Sequence, residues 1–352
     1  MGLTLAESWT RQIAWCDGHG SPFTARVLEA AWADRERGGA LAELLPCWHG
    51  DAGADAVPLR VTGALHALAL SGRDPMLASL YPPRQEPGDI APAVAAAMAQ
   101  HRDVIAEYLA VAPQTNEIGR SAVLLPGFAA IAQATRLPLS MFEIGASAGL
   151  NQLWHRYRYA LGDVTWGDAS SAVLIRAEWQ GAAPVLPDRI TVASHAACDV
   201  SPIDLQSEGA ALRLMSYIWP DQHERLERLR AAIALAQRLQ VRVEAADALT
   251  WASDVLATQR SGCATVLYHS VMWQYLSEPT RNGLRGLIEA SGSHATRQAP
   301  LAWLAFEPPD NDPRMLLTLT LWPGGERRVL AEAHPHGQWV RWLDAPTSAS
   351  PV

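Results

Sequence analysis

Leu139–Asn151 reads LSMFEIGASAGLN. An apolar run ends in Glu143, a turn of small residues follows from Gly145 to Gly149, and LNQLWHRY continues with helical spacing. Strand, glycine turn and helix is how an α/β protein brings backbone N–H groups up to a ligand. The same letters spell G-x-S-x-G, the turn that presents a serine nucleophile. The segment fixes an α/β reading and leaves two chemistries open.

Upstream, residues 1–135 read as a helical region. Apolar positions recur at helical spacing in ESWTRQIAWC, FTARVLEAAWADRE and VAAAMAQHRDVIAEYLAV, with breaks at Tyr81-Pro82-Pro83 and Glu86-Pro87-Gly88. QTNEIGR (114–120) then leads into a further helix, SAVLLPGFAAIAQAT. Its Asn116, Glu117 and Arg120 are either a solvated helix start or a polar wall of the ligand pocket.

Downstream, strand and helix patterns alternate over 136–352. Candidate strands are LSMFEI, RITVASHAACD, VRVEAAD, ATVLYHS, LAWLAFE and MLLTLTLW, with a last run in RRVLAEA or QWVRWL. The clearest helix between them is DQHERLERLRAAIALAQRLQ (221–240). This alternation predicts a mostly parallel sheet covered on both faces. MLLTLTLWPGGERRVLAEA predicts an antiparallel hairpin around Pro323-Gly324-Gly325. Residues 156–180 form an extra element, a small hairpin or a lid.

Composition narrows the chemistry. With 49% hydrophobic residues in 352, the chain can bury a core without metals or disulfides. Cys16, Cys47, Cys198 and Cys263 are scattered and fit reduced thiols in a cytoplasm. There is no lysine, which excludes a P-loop lysine and a Schiff base. A net charge of -8 argues against nucleic acid as partner. The first residues lack a signal-peptide pattern, and no apolar run is long enough for a membrane helix. The expectation is a cytoplasmic protein with a small-molecule substrate.

In an open parallel sheet, ligands bind beyond the carboxyl ends of the strands. The first predicted strand ends in Glu143, the second in Asp199, the third just before Asp247-Ala248, and the fourth in Tyr268-His269-Ser270 with Trp273 and Tyr275 beyond. This order resembles the class I S-adenosylmethionine-dependent methyltransferase fold. The resemblance implies a Rossmann-like sheet closed by an antiparallel hairpin, with S-adenosylmethionine as cofactor. Carried over by position, Glu143, Gly145 and Gly149 match the first element, with Ser147 and Asn151 in the same turn. Asp199 matches the residue that takes the ribose hydroxyls, and Asp247, beside Ala248, the one that meets the adenine. The charge-assisted hydrogen bonds such carboxylates accept are strong ones. His269 is the candidate for proton removal. Tyr268, Ser270 and Trp273 join Asn116, Glu117 and Arg120 as candidate substrate-pocket residues.

The chain is also similar throughout to a bacterial family of uncharacterised function, domain of unknown function 2332, on QTNEIGRSAVL (114–124), FEIGASAGLN (142–151), IWPDQHERLERL (218–229) and HPHGQW (334–339). That family supports the architecture and brings no substrate. Two alternatives stay open. One is a protein that binds a nucleotide-like cofactor without catalysis. The other is a serine hydrolase with Ser147 as nucleophile, Asp247 or Asp254 as its acid, and His334 or His336 as its base. Against the hydrolase stand the helical region where strands should precede the turn and a Glu143 carboxylate beside a developing oxyanion. A metal site at His334 and His336 with His269 or His195 lacks a supporting ligand pattern, so no metal is expected.

Overall fold

A computed structural model describes residues 2–85, 88–258, 260–310 and 312–344. Its contacts divide the chain into two compact units. One comprises residues 1–115 and 207–230, the other 116–206 and 231–352.

The first unit is helical. It contains α1 (Leu5–Gly18), α2 (Pro22–Glu36), α3 (Ala40–Leu44), α4 (Val57–Ser71), α5 (Pro75–Leu80), α6 (Ile90–Gln100) and α7 (Arg102–Ala110). No strand occurs among the described residues up to 115, as the helical spacing predicts. The run 94–111 is two helices, because the backbone turns at His101 between α6 and α7. The predicted break at Tyr81-Pro82-Pro83 follows α5, whereas Glu86 and Pro87 lie outside the described residues. The helix after Arg120, α8 (Ser121–Thr135), belongs to the second unit, so the expected helical region of 1–135 is shared between the two. After the strands described below, α9 (Ala210–Ser216) and the start of α10 (His223–Arg238) return to the first unit. Here Asp221 explains the IWPDQ segment. Ser21 makes no capping bond to α2, and Asp221 supplies it from 200 positions downstream. Its carboxylate accepts the N–H groups of Phe23 at 2.8 Å and Thr24 at 2.9 Å.

Among the described residues, the second unit is an eleven-stranded mixed sheet with helices. Its strands are β1 (Leu139–Ile144), β2 (Arg158–Leu161), β3 (Val164–Gly167), β4 (Leu174–Gln180), β5 (Val192–Asp199), β6 (Glu244–Ala245), β7 (Ala264–Ser270), β8 (Leu301–Glu307), β9 (Leu316–Trp322), β10 (Glu326–Ala333) and β11 (Trp339–Trp342). They lie in the order β3-β2-β4-β11-β10-β9-β8-β7-β1-β5-β6. The five strands from β8 to β6 are parallel. The expected closing hairpin is present as β9 and β10.

The central strands β1 and β7 are almost entirely buried, which is why they read as mainly apolar runs without alternation. Phe128 of α8 packs on Tyr268 and Trp154 on one face. The other face buries Ile144, Cys198 and Leu267 under α11 (Ala248–Leu256) and α12 (Glu278–Ser293). Strand order reverses beside β1, with β5 on one side and β7 on the other.

Three expectations change. LNQLWHRY is a 3₁₀ segment, Leu150–Arg156, rather than an α-helix. It starts from Gly149 in the left-handed conformation without a side-chain cap, and Tyr157 then turns extended to enter β2. VRVEAAD yields only the two-residue β6, an edge strand. Residues 156–180 are a hairpin, β2–β3, followed by β4, and they extend the sheet instead of covering it as a lid.

Candidate functional site

The carboxyl ends of β1, β5 and β6 adjoin at the point where strand order reverses. Such a crevice is where open α/β sheets bind ligands. The loop after β1 alternates between hands. Gly145, Ser147 and Gly149 have φ of 69°, 55° and 74°. At Gly145 a side chain would strike Met272 at 2.7 Å, so only glycine serves. Ser147 adopts a conformation that disfavours most side chains and is held there from both ends. Its N–H donates to Asp199 Oδ2 at 2.8 Å, and its carbonyl accepts the Ile203 N–H at 3.2 Å. The Ser147 hydroxyl is buried without a hydrogen-bond partner, so no histidine activates it as the hydrolase reading requires.

The two aspartates reach the site as strand ends. Asp199 closes β5 and is half-buried, and besides Ser147 it accepts the Ser201 N–H through Oδ1 at 2.9 Å. Asp247 follows β6, is exposed, and caps α11 by accepting the Leu249 and Thr250 N–H groups at 3.0 Å. Each aspartate thus builds its own turn at the carboxyl end of one of two neighbouring strands. Ala248 opens α11 with its side chain buried in the core.

Glu143 does not join this acidic group. It is 2% exposed, beneath the turn on the α8 face. Tyr268 donates to it at 3.2 Å. Burial pushes its carboxyl up to about 8, with the Tyr268 hydrogen bond and the nearby Arg120 charge acting weakly the other way. Its burial favours the protonated carboxylic acid within the core over a negative charge on a rim.

The QTNEIGR segment is a clasp behind the turn rather than a wall of an open pocket. Asn116 Oδ1 accepts the Leu150 N–H at 2.9 Å, and Ser121 donates to Asn151 Oδ1 at 2.9 Å. Asn151 in turn donates to the Glu117 carbonyl at 3.4 Å, and the Glu117 carboxylate accepts the Gly119 N–H at 2.8 Å. Arg120 donates to the carbonyls of Ser270 at 3.2 Å and Pro335 at 3.1 Å. HPHGQW completes the clasp. A Cβ on Gly119 would lie 2.3 Å from the His336 carbonyl oxygen, and one on Gly337 2.0 Å from the Gly119 oxygen. His334 Nδ1 accepts the His336 N–H at 3.1 Å, which makes HPHG a locked turn. Asn116, Glu117, Arg120 and Ser270 therefore have structural partners around the turn.

His269 stands on the other face of the sheet from Tyr268 and Glu143, and it is 1% exposed. Its Nδ1 bonds Glu307 Oε1 at 2.7 Å, and its Nε2 accepts the Trp303 indole N–H at 3.0 Å. Both ring nitrogens are thus engaged away from the glycine turn, and His269 is not placed as a base there. Trp273 stacks on its ring at 5.0 Å. Both line a cavity of about 510 Å³ along β8 and β9. Glu307 and Trp303 were not anticipated. Glu307 had a signal, since LAWLAFE ends in a carboxylate and the first three strands carry one at or next to their ends.

Residues 6–342 match one family, described as "Uncharacterized protein conserved in bacteria (DUF2332)". No curated protein and no solved structure matches the chain. Among the described residues, no helix is long and apolar enough to cross a membrane.

Proposed function

The chain belongs to the DUF2332 family, which carries no assigned activity, and from that premise we propose that its α/β unit binds S-adenosylmethionine and transfers the methyl group to a small, non-nucleic-acid acceptor. The observation that carries the proposal is the meeting of the Gly145–Gly149 turn, Asp199 and Asp247 at the carboxyl ends of β1, β5 and β6, where strand order reverses.

The residues fit the cofactor. Asp199 spends one bond per oxygen on backbone N–H groups, and a carboxylate has lone pairs to spare for ribose hydroxyls. Asp247 is exposed two residues beyond β6, where an adenine amino group can donate to it. The partnerless Ser147 hydroxyl is a further donor within the turn. The cofactor supplies an electrophilic methyl group on a sulfonium. The protein's share is alignment of the acceptor and exclusion of water. The engagement of both His269 nitrogens favours a second reading, a binding protein without catalysis.

Calorimetry with S-adenosylmethionine tests the proposal. Saturable binding is expected, weakened about tenfold or more in Asp199→Asn and in Asp247→Asn and little changed in Ser147→Ala. Absence of heat at millimolar cofactor would reject it. Binding without methyl transfer to any small acceptor would favour the second reading.

A further inference from the structure

The cavity along β8 and β9 is built for a ligand of a different kind. Its volume of about 510 Å³ suits a small molecule. Trp273, Trp303 and Trp322 supply aromatic surface, and the hydroxyl-bearing Thr318 and Thr320 lie between them. Trp322 is held on its edge by small neighbours, since a Cβ on Gly292 would lie 2.4 Å from its ring and one on Gly325 2.7 Å from its indole nitrogen.

At one end sits Glu307, whose two oxygens differ. Oε1 takes His269 Nδ1 at 2.7 Å and the Met272 N–H at 3.0 Å. Oε2 is buried with no partner. The histidine's tautomer follows from its other neighbour. An indole nitrogen can only donate, so His269 Nε2 is an acceptor and the ring proton sits on Nδ1, where it donates to Glu307. A ring arranged this way is neutral and does not balance the carboxylate. A buried carboxylate oxygen lacking a donor is costly. A ligand that brings an N–H on a positive charge satisfies it.

The surroundings favour a cation. The lining carries two arginines, Arg285 and Arg327, against three carboxylates, Glu289, Glu307 and Asp310. The face of Trp273 already draws the Arg285 guanidinium to 5.6 Å from its centroid. We propose that this cavity binds an organic ammonium ion that keeps at least one N–H, donating to Glu307 Oε2 with its carbon skeleton against the tryptophans. The site lies on the opposite face of the sheet from Glu143 and does not rest on the S-adenosylmethionine reading.

The test is calorimetry on the full chain at neutral pH with three probes: phenethylammonium, tetramethylammonium and phenylacetate. Phenethylammonium is expected to bind. Tetramethylammonium, a cation without an N–H, should bind more weakly, and phenylacetate not measurably. Glu307→Gln places an amide donor where the acceptor was and should weaken phenethylammonium binding about tenfold or more. Asp199→Asn should leave it unchanged, which separates this site from the cofactor site. In the wild-type chain, the imidazole nitrogen signals of His269 should shift with phenethylammonium, a readout that survives if Glu307→Gln fails to fold. Equal or tighter binding of phenylacetate, unchanged affinity in Glu307→Gln, or His269 signals unmoved at saturating amine would overturn the proposal.

Discussion

Glu143 illustrates what one residue type can hide. A glutamate at a strand end before a glycine turn invites a reading as a surface charge. Burial decides otherwise: the residue is 2% exposed, with Tyr268, its cross-strand partner on β7, donating to its carboxyl. In the unfolded chain this carboxyl ionises near 4.5, while the folded protein raises it to about 8. Between those values the unfolded state holds fewer protons than the folded one, so this residue makes stability fall as pH rises. The slope reaches at most about 1.4 kcal/mol per pH unit. Denaturant unfolding at about pH 5 and about pH 7.5 should show Glu143→Gln gaining on the wild type at the higher pH. Parallel stabilities across that window would mean that Glu143 is ionised in the folded protein. No pattern in LSMFEI discloses this, because the burial that raises it comes from residues distant in the chain, Tyr268 on β7 among them.

At the scale of elements, legibility followed burial. β1, β7 and β8 match their mainly apolar runs residue for residue, since strands covered on both faces carry apolar side chains on both. β6 shrank because an edge position pairs on one side only, and Val241 and Val243 pack instead against Gly149. The clasp was legible as three separate motifs but not as one structure. Its closure through Gly119 and Gly337 is a backbone-to-backbone contact that leaves no polar or apolar signature in sequence. Gly337→Ala combines a φ of 71° with a Cβ 2.0 Å from the Gly119 oxygen. It should cost more than about 2 kcal/mol, read as a lowered unfolding midpoint. Gly286→Ala, whose Cβ meets nothing within 4 Å and which lies within α12, should instead be neutral or stabilising by up to about 1 kcal/mol. Equal effects of the two substitutions would show that the clasp is not tightly packed.

Across the whole molecule, chain order and spatial order part company. Helices α9 and the start of α10 are counted with the helical unit although six strands of the sheet unit follow them or their continuation in the chain. Within the sheet, the hairpin and strand made from residues 158–180 lie at the far end from β5, the next strand in sequence. No composition shift marks either excursion. β4 meets the rest of the sheet through a single neighbour, β11, which pairs with it in parallel and with β10 in antiparallel fashion. A chain cut before Trp339 should therefore expose the facing edges of β4 and β10. Open edges recruit other chains, so such a variant is expected to aggregate on purification, with residues 156–180 cleaved early by protease. A truncated chain that remained monomeric and protease-resistant would contradict this role of β11.

The same four residues bear on how the protein is made. β11 is the last of the described strands to leave the ribosome, so β2, β3 and β4 stay unjoined to the other strands until it has been made. The sheet becomes continuous only when Trp339–Trp342 arrives, and a newborn chain short of that strand carries open borders of the kind that recruit other chains.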